Sequence, residues 1–466
     1  MQRLPFLRFA IILLLSASSV AADVRYVNVN NTAPAWPYTD WSTAATNIQV
    51  AIDAAAPGDL VLVTNGIYQT GGRVVSGVTN AGMVSGEVTN RVAITKVMTV
   101  RSVNGPAQTI IVGRLSNDTN YARCVFLTND ATLDGFTVTN GLYTCGGIWC
   151  ASSSSTVTNC VIVGNIGGGA WSGTFINCLI LRNSASISGG GACQSVLNNC
   201  LLAYNFAGGF GGGSGGGADS CTLTSCTVVS NYAPAGGGGV INSTLYNCIV
   251  YDNHAGFSSL GDNYYSCTLI YCCAIPLPTD GYSFNNITND PVFVNPTGGD
   301  FHLQPWSRCI NAGENYFLFT ITTDLDGYPR IRGGTVDMGA YEFQAQVTGL
   351  FTDWLQQYGL PTNGLADAVD SDNDGMVNWQ EWITGTNPTN AQSVLKLPAP
   401  DLSNSNGVVI SWPSVSNRIY SIQRNADLTA PFSTLQDSIM GQGGSMSYTD
   451  TTATASAPLF YRVGVQ

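Results

Sequence analysis

Between residues 157 and 253 the apolar and polar positions fall into short runs that repeat one pattern, Cys-x-apolar-x-x-Asn. It occurs at Cys160 to Asn165, Cys178 to Asn183, Cys200 to Asn205, Cys226 to Asn231 and Cys248 to Asn253, with 18, 22, 26 and 22 residues between successive starts. An apolar residue and usually an Asn or Ser precede each Cys, as in Val157-Thr158-Asn159 and Leu245-Tyr246-Asn247. Glycine clusters separate the copies at 167–169, 189–191, 211–217 and 236–239. A looser copy around Phe136 and Val138 comes before, and another around Cys267 and Cys272 follows. None of these runs has a helical period.

Residues two apart lie on the same side of a strand, so each Cys and the apolar residue after next share a face. One such coil cannot bury that face, but stacked coils can. The pattern therefore predicts an all-β chain built as a right-handed parallel β-helix. The cysteines should form an internal column of small buried hydrophobes. Each repeated Asn should sit at a turn and bond backbone and the Asn of the next coil, while the glycines should supply turns with positive φ. The residues one and three after each Cys should face out. They are Val161 and Val163, Leu179 and Leu181, Leu201 and Ala203, Thr227 and Val229, and Ile249 and Tyr251. Such runs read as strands buried on both sides, so the chain after Gly256 is expected to return along the solenoid and cover this strip, with a partner molecule as the alternative.

Earlier, residues 44–56 read as an amphipathic helix with Ile48 and Ile52 on one face. The strand Leu60 to Val63 and the turn Asn65-Gly66 follow. A helix there would cover the open apolar end of the first coil. Residues 1–22 read as a secretory signal: Arg3 and Arg8, the apolar run Phe9 to Leu15, and the small-residue site Val20-Ala21-Ala22. The run is too short to span a membrane stably, and no later stretch is long and apolar enough. The mature chain is thus expected from about Asp23, outside the cytoplasm or at the cell surface, with no membrane span.

Charge narrows the partners. The net charge of −12 becomes −14 without Arg3 and Arg8, and no basic run exists. Nucleic acid is excluded as an expected partner, because phosphate binding needs clustered Lys and Arg. An acidic polysaccharide would need a bridging cation. Fourteen cysteines in an exported chain raise the question of disulfides. Recurrence once per coil favours the buried column over a metal site, and leaves disulfides such as Cys145 with Cys150 open.

The opening of the chain resembles the start of secreted bacterial β-helix proteins of the pectin-lyase-like superfamily. Residues 290–343 resemble their closing segment, the choice-of-anchor Q domain. The matching pieces are Asp290-Pro291-Val292-Phe293, Gly299-Asp300-Phe301-His302-Leu303, Ser307-Arg308-Cys309-Ile310-Asn311-Ala312-Gly313, Asp324-Leu325-Asp326-Gly327-Tyr328-Pro329-Arg330 and Val336-Asp337-Met338-Gly339-Ala340-Tyr341-Glu342. The resemblance covers residues 23–343. It implies fold and export but no reaction, because the fold hosts lyases, hydrolases and adhesins alike.

Residues 344–395 carry a linker with an acidic loop. Asp370, Asp372, Asp374, Gly375, Asn378 and Glu381 fit D-x-D-x-D-G-x-x-N-x-x-E. Short oxygens at loop positions 1, 3 and 5, glycine at 6, the Met376 carbonyl at 7, Asn378 at 9 and a bidentate Glu at 12 are what a calcium loop needs. Leu350 to Tyr358 could be the preceding helix, but Pro361 and Gly364 stand between it and the loop. The segment resembles the single calcium loops of dockerin-like and thrombospondin type 3-like repeats. Residues 396–466 alternate in short runs and predict a small β-sandwich, similar to fibronectin type III-like tails.

No catalytic motif is found. The polygalacturonase-like NTD and GHG are absent, and the repeats hold few ionisable groups: Arg182, Asp219, Asp252, His254 and Asp262. Arg182 and Asp252 share a slot of the repeat with Tyr204 and Ser230, which suggests either a sugar-contacting groove or ordinary solvated surface. Asp324, Asp326, Asp337 and Glu342 are expected to accept bonds from turn N–H groups, with a cation held among them as the alternative. The expectation is a non-catalytic protein that binds polysaccharide or a cell-surface glycan, with a calcium-stiffened tail. The alternative is an extracellular polysaccharide lyase or glycoside hydrolase acting on a plant or algal glycan.

Overall fold

The computed structural model describes residues 22–466 except 77–78, 81–82, 85–86, 114–121, 143–144, 210–211, 257–260, 319–320, 333–334, 345–348, 363–365, 367–368, 403–405, 417, 427–431, 454–458 and 466. The expected signal segment thus lies, apart from Ala22, outside the described residues. The chain forms two compact units, Met1–Ala185 and Ser186–Gln466.

In the first unit, strands stack in parallel, in register, on three faces. One face runs Val24–Val27, Leu60–Val63, Thr99–Ser102, Thr132–Asp134, Thr156–Thr158 and Thr174–Ile176. A second runs Val88–Ile94, Ala122–Leu127, Ile148–Cys150 and Ala170–Trp171. The third runs Gly66–Tyr68, Thr109–Val112, Thr137–Thr139, Val161–Val163 and Leu179–Leu181. The second unit repeats the plan with Val196–Asn198 to Thr268–Ile270, Ala192–Cys193 to Tyr264–Tyr265, and Leu201–Ala203 to Cys273–Ala274. This is a parallel β-helix.

The column of the repeat is internal. Cys160, Cys178, Cys200, Cys226 and Cys248 are buried, as are Ile162, Ile180, Leu202, Val228 and Val250 two residues on. All fourteen cysteines are buried thiols outside any disulfide, Cys145 and Cys150 included. Burial pushes the thiols of Cys221 and Cys267 up to about 12, so they stay protonated.

The Asn residues form a ladder. Asn231 Nδ2 donates to the carbonyls of Leu202 and Val229 and to Asn253 Oδ1, while its own Oδ1 accepts the N–H of Asn205. In the first unit Asn165 bonds Asn183 in the same way. The glycine clusters supply turns with positive φ, at Gly167, Gly168, Gly189, Gly212, Gly215, Gly236 and Gly237. The left-handed residues that flank the Cys strands are mostly not glycine. They are Asn177, Asn199, Ser225 and Asn247 before the Cys, and Arg182, Tyr204, Ser230 and Asp252 before the Asn, all with φ between 50° and 59°. Asn tolerates that region by bonding locally, and the Asn ladder holds the second position. Within the clusters, Gly216 and Gly217 serve close approach. A Cβ on Gly216 would stand 2.4 Å from the Gly238 carbonyl oxygen of the next coil.

The N-terminal helix is Ile48–Ala54, with Ile48 and Ile52 buried. Asn47 caps its start, Lys96 Nζ bonds the last carbonyls, and Gln49 exchanges two bonds with the backbone of Ala93 on the β-helix edge. The edge of the first coil is therefore satisfied rather than open.

In the second unit the apolar outer strip is covered. Leu201, Ala203, Thr227, Val229 and Ile249 are buried beneath residues of the closing segment, and Tyr251 is half-buried. Gly339 N donates to the Asn247 carbonyl, Ala340 N to Thr227 Oγ1, Asn247 Nδ2 to the Glu314 carbonyl and Tyr204 OH to the Pro296 carbonyl. In the first unit Val161, Val163, Leu179 and Leu181 are half-buried.

Beyond the closing segment, helix Gly349–Gln357 packs Phe351 and Leu355 with Ala366, Trp379 and Trp382. Two antiparallel sheets end the chain. One pairs Val408–Ser414 with Gly444–Asp450. The other pairs Ile419–Asn425 with Ser433–Met440 and Phe460–Val465. Trp412, Tyr420 and Ile422 form the core of this small sandwich.

Candidate functional site

In the first unit, Arg182 sits in a left-handed turn with φ 52°. In the second unit, Tyr204 lies under the closing segment against Phe301, and Ser230 Oγ bonds Asp252. His254 is exposed, stacks on Tyr232 and stands 3.4 Å from Asp262. Asp324, Asp337 and Glu342 accept turn N–H groups as their sequence context suggests: Asp324 from Asp326, Tyr328 and Glu342, Asp337 from Asn311 and Phe343, and Glu342 from Arg332 and Asp337. Burial, and then Asp337, push the Glu342 carboxyl up.

Asp326 behaves differently. It and Asp300 hold His302 between them, with Nδ1 2.6 Å from Asp300 Oδ1 and Nε2 2.6 Å from Asp326 Oδ2. The Tyr341 ring lies 4.2 Å from the imidazole, centroid to centroid. Burial alone would lower the imidazole pKa, but the bonds to Asp326 and Asp300 outweigh it and raise it. Burial would likewise raise Asp300, and the bonds from His302 hold it below the usual carboxylate range instead.

This trio lines a cavity of about 900 Å³ in the second unit. Tyr328, Arg332, Trp379, Trp382 and Phe351 line the same cavity. Neither the ion pairs of His302 nor the cavity was anticipated from the sequence. Asp300 and His302 are two residues apart, but Asp326 and the tryptophans arrive from distant segments.

The raised His302 pKa makes a prediction. A group raised in the fold contributes stability that is complete below its unfolded value, about 6.5, and is lost as pH rises through the folded value. The wild type should therefore lose thermal stability relative to His302→Gln as pH rises above about 6.5. Paired melting curves from pH 6 to pH 9 check this, and a constant difference across that range would contradict it.

The second candidate site is the acidic loop. Carboxylate oxygens of Asp370, Asp372 and Asp374 lie within 4.8 Å of one another. Asp370 accepts Asp374 N and Gly375 N, and Asp374 accepts Met376 N. Asn373 and Gly375 take the left-handed conformation that the tight turn needs. Helix Asn378–Thr384 leaves the loop, and Asn378 and Glu381 on it are fully buried. Five buried oxygens have no hydrogen-bond partner: Asp372 Oδ2, Asp374 Oδ2, Asn378 Oδ1 and both oxygens of Glu381. Burial first, then Asp372 and Asp374, push the Glu381 carboxyl up to about 7. A set of oxygen-only donors without protein partners fits a hard divalent cation.

No curated protein matches the sequence. Among solved structures, the chain is similar to pectin methylesterase PemA from Erwinia chrysanthemi, at 12% identity and a TM-score of 0.28 over 53% of this chain and 78% of that one. It is also similar to a rhamnogalacturonan lyase, at 11% identity and a TM-score of 0.34 over 59% of this chain and 91% of that one. A family model described as "Protein of unknown function (DUF1565)" matches residues 40–267, the stretch that runs from the approach to the N-terminal helix to Cys267.

Proposed function

We propose that this is an extracellular or cell-surface β-helix protein that binds a neutral, hydroxyl-rich saccharide without transforming it, and whose tail holds calcium. The observation that carries the reading is the cavity lined by Trp379, Trp382 and Tyr328 together with Asp300, His302 and Asp326. Indole and phenol rings offer flat apolar area to a sugar face, and the carboxylate oxygens left over from the ion pairs accept its hydroxyls. An anionic uronate would meet Asp300 and Asp326 in a chain of net charge −12. Calcium would be held by Asp370, Asp372, Asp374, the Met376 carbonyl, Asn378 and Glu381, where it would supply charge compensation to the buried oxygens.

The binding reading is preferred to an enzyme because both His302 nitrogens are already bonded to carboxylates. A general base needs a free nitrogen within reach of the proton it takes. Asp300, held low, is a poor proton donor at neutral pH.

The test is a panel of plant and algal glycans, read for binding and, in parallel, for unsaturated products and new reducing ends. Binding without product is the expected result. Tyr328, 52% exposed, can be changed without disturbing a core. Tyr328→Ala should weaken binding about tenfold, the loss of one aromatic contact, with an unchanged melting temperature. Turnover of any glycan would establish the lyase or hydrolase alternative in its place.

A further inference from the structure

The loop and the cavity share one short helix. In Asn378–Thr384, Asn378 and Glu381 are three residues apart and so lie on one side, where their side-chain oxygens are buried without partners. Trp379 and Trp382 follow each of them by one position, a rotation of roughly 100° about the helix axis, and with Ile383 they line the cavity. The Trp379 ring also touches Phe343, 6.2 Å between centroids, and Phe343 lines the cavity with Glu342 and Gln344. The Trp382 ring lies 5.2 Å from Phe351, and its carbonyl accepts Arg418 Nη2 at 2.6 Å. One face of seven residues therefore answers to the acidic loop and the adjacent face to the cavity.

We infer that a divalent cation in the acidic loop completes the cavity, so that saccharide binding and calcium binding are thermodynamically coupled through helix Asn378–Thr384. The inference rests on the saccharide reading of the cavity for its ligand, but the coupling itself is a property of the helix. Without a cation, Glu381 places a carboxylate with no partner at full burial, and the helix that carries it is only seven residues long. A helix of that length is not stable by itself and depends on its packing. Holding both Glu381 oxygens fixes the helix axis and its rotation, and with them the positions of two tryptophans. Linkage then requires the saccharide to tighten calcium by the same factor.

The experiment uses the full chain with calcium alone and with neutral cello-, xylo-, manno- and galacto-hexaose. Hydrogen exchange is followed with and without calcium over 370–384 and, separately, over the cavity-lining stretches 326–332 and 341–344. Calcium is expected to protect all three stretches, and to raise hexasaccharide affinity about tenfold, within the usual range of coupling. Glu381→Gln, which removes the buried charge and so keeps the fold, should abolish both effects. Trp379→Ala should retain calcium binding and lose the saccharide. Protection confined to 370–384, or hexasaccharide affinity equal with and without calcium, would overturn the coupling and leave the saccharide reading standing. No hexasaccharide binding in either condition would defeat the saccharide reading and, with calcium still protecting 326–332 and 341–344, leave only the ordering of the cavity by the cation standing.

Discussion

Cys226→Asp is expected to yield a chain with no cooperative unfolding transition, because the β-helix of the second unit cannot accommodate the new charge. Cys226 is fully buried in the column between Cys200 and Cys248. Its sulfur faces the carbonyl oxygens of Leu197 and Thr224, at 3.4 and 3.3 Å, and accepts one weak bond from Cys200 N. A thiol donates to such carbonyls, whereas a carboxylate would confront two oxygens with a third. Burying a charge without a partner costs several kcal/mol at least, against a total stability of about 5–15 kcal/mol for a domain. Cys226→Ala, which removes only the sulfur and leaves a small cavity, should cost about 1–2 kcal/mol. Soluble yield and circular-dichroism melts of the two variants check this. A cooperative melt for the Asp variant within a few degrees of wild type would contradict the buried column.

Calcium is expected to give the next largest effect. At a hundred times its dissociation constant, a cation that binds only the folded tail stabilises it by about 2.7 kcal/mol. For an extracellular loop of this kind that constant is on the order of 10⁻⁴ to 10⁻³ M, so the full effect needs about 10 to 100 mM calcium. The sign of the pH dependence follows from Glu381. Its carboxyl is raised to about 7 without a cation, so the cation-free fold binds an extra proton between the ordinary Glu value, about 4.3, and 7. The cation-free tail is thus relatively more stable below that window and loses the contribution as pH rises through it. Calcium must displace that proton at low pH and need not at high pH. The melting shift on adding calcium should therefore be larger at pH 8 than at pH 5.5, and small at either pH for Glu381→Gln. Equal shifts for wild type and variant would remove Glu381 from the site.

How much of this was readable from the chain depends on how far apart the cooperating residues lie. In Asp370 to Glu381 every proposed ligand falls within twelve consecutive positions, so the pattern carries the whole site. The coils are legible for a similar reason. A strand's in-out alternation is local, and repetition multiplies the signal, so burial of Cys160 and Ile162 or of Cys226 and Val228 follows from their spacing. Two local readings hold but are incomplete. The glycine clusters do supply positive φ, at Gly167, Gly189, Gly215 and Gly237 among others, yet Asn177, Ser225 and Asp252 take such turns as well and Gly216 makes room for the Gly238 carbonyl. Composition reports that small residues are needed but not which steric limit needs them. The helix read at Leu350 to Tyr358 does end before the loop, and Phe351 nevertheless packs on Trp382 of the exit helix, because separation along the chain does not prevent side-chain contact.

The sequence by itself determined the β-helix, its buried cysteine column, its Asn ladder and the need for something to cover the outer strip, since all of these follow from side-chain period and from the cost of exposed apolar area. The tertiary structure alone decided which backbone does the covering, with Gly339 and Ala340 set against Asn247 and Thr227. It alone decided too that His302 stands between Asp300 and Asp326, in a cavity shared with tryptophans from a helix more than 70 residues further along the chain. Those pairings are fixed by how separate segments pack, and a long-range contact leaves no period or spacing in one sequence from which it could be read.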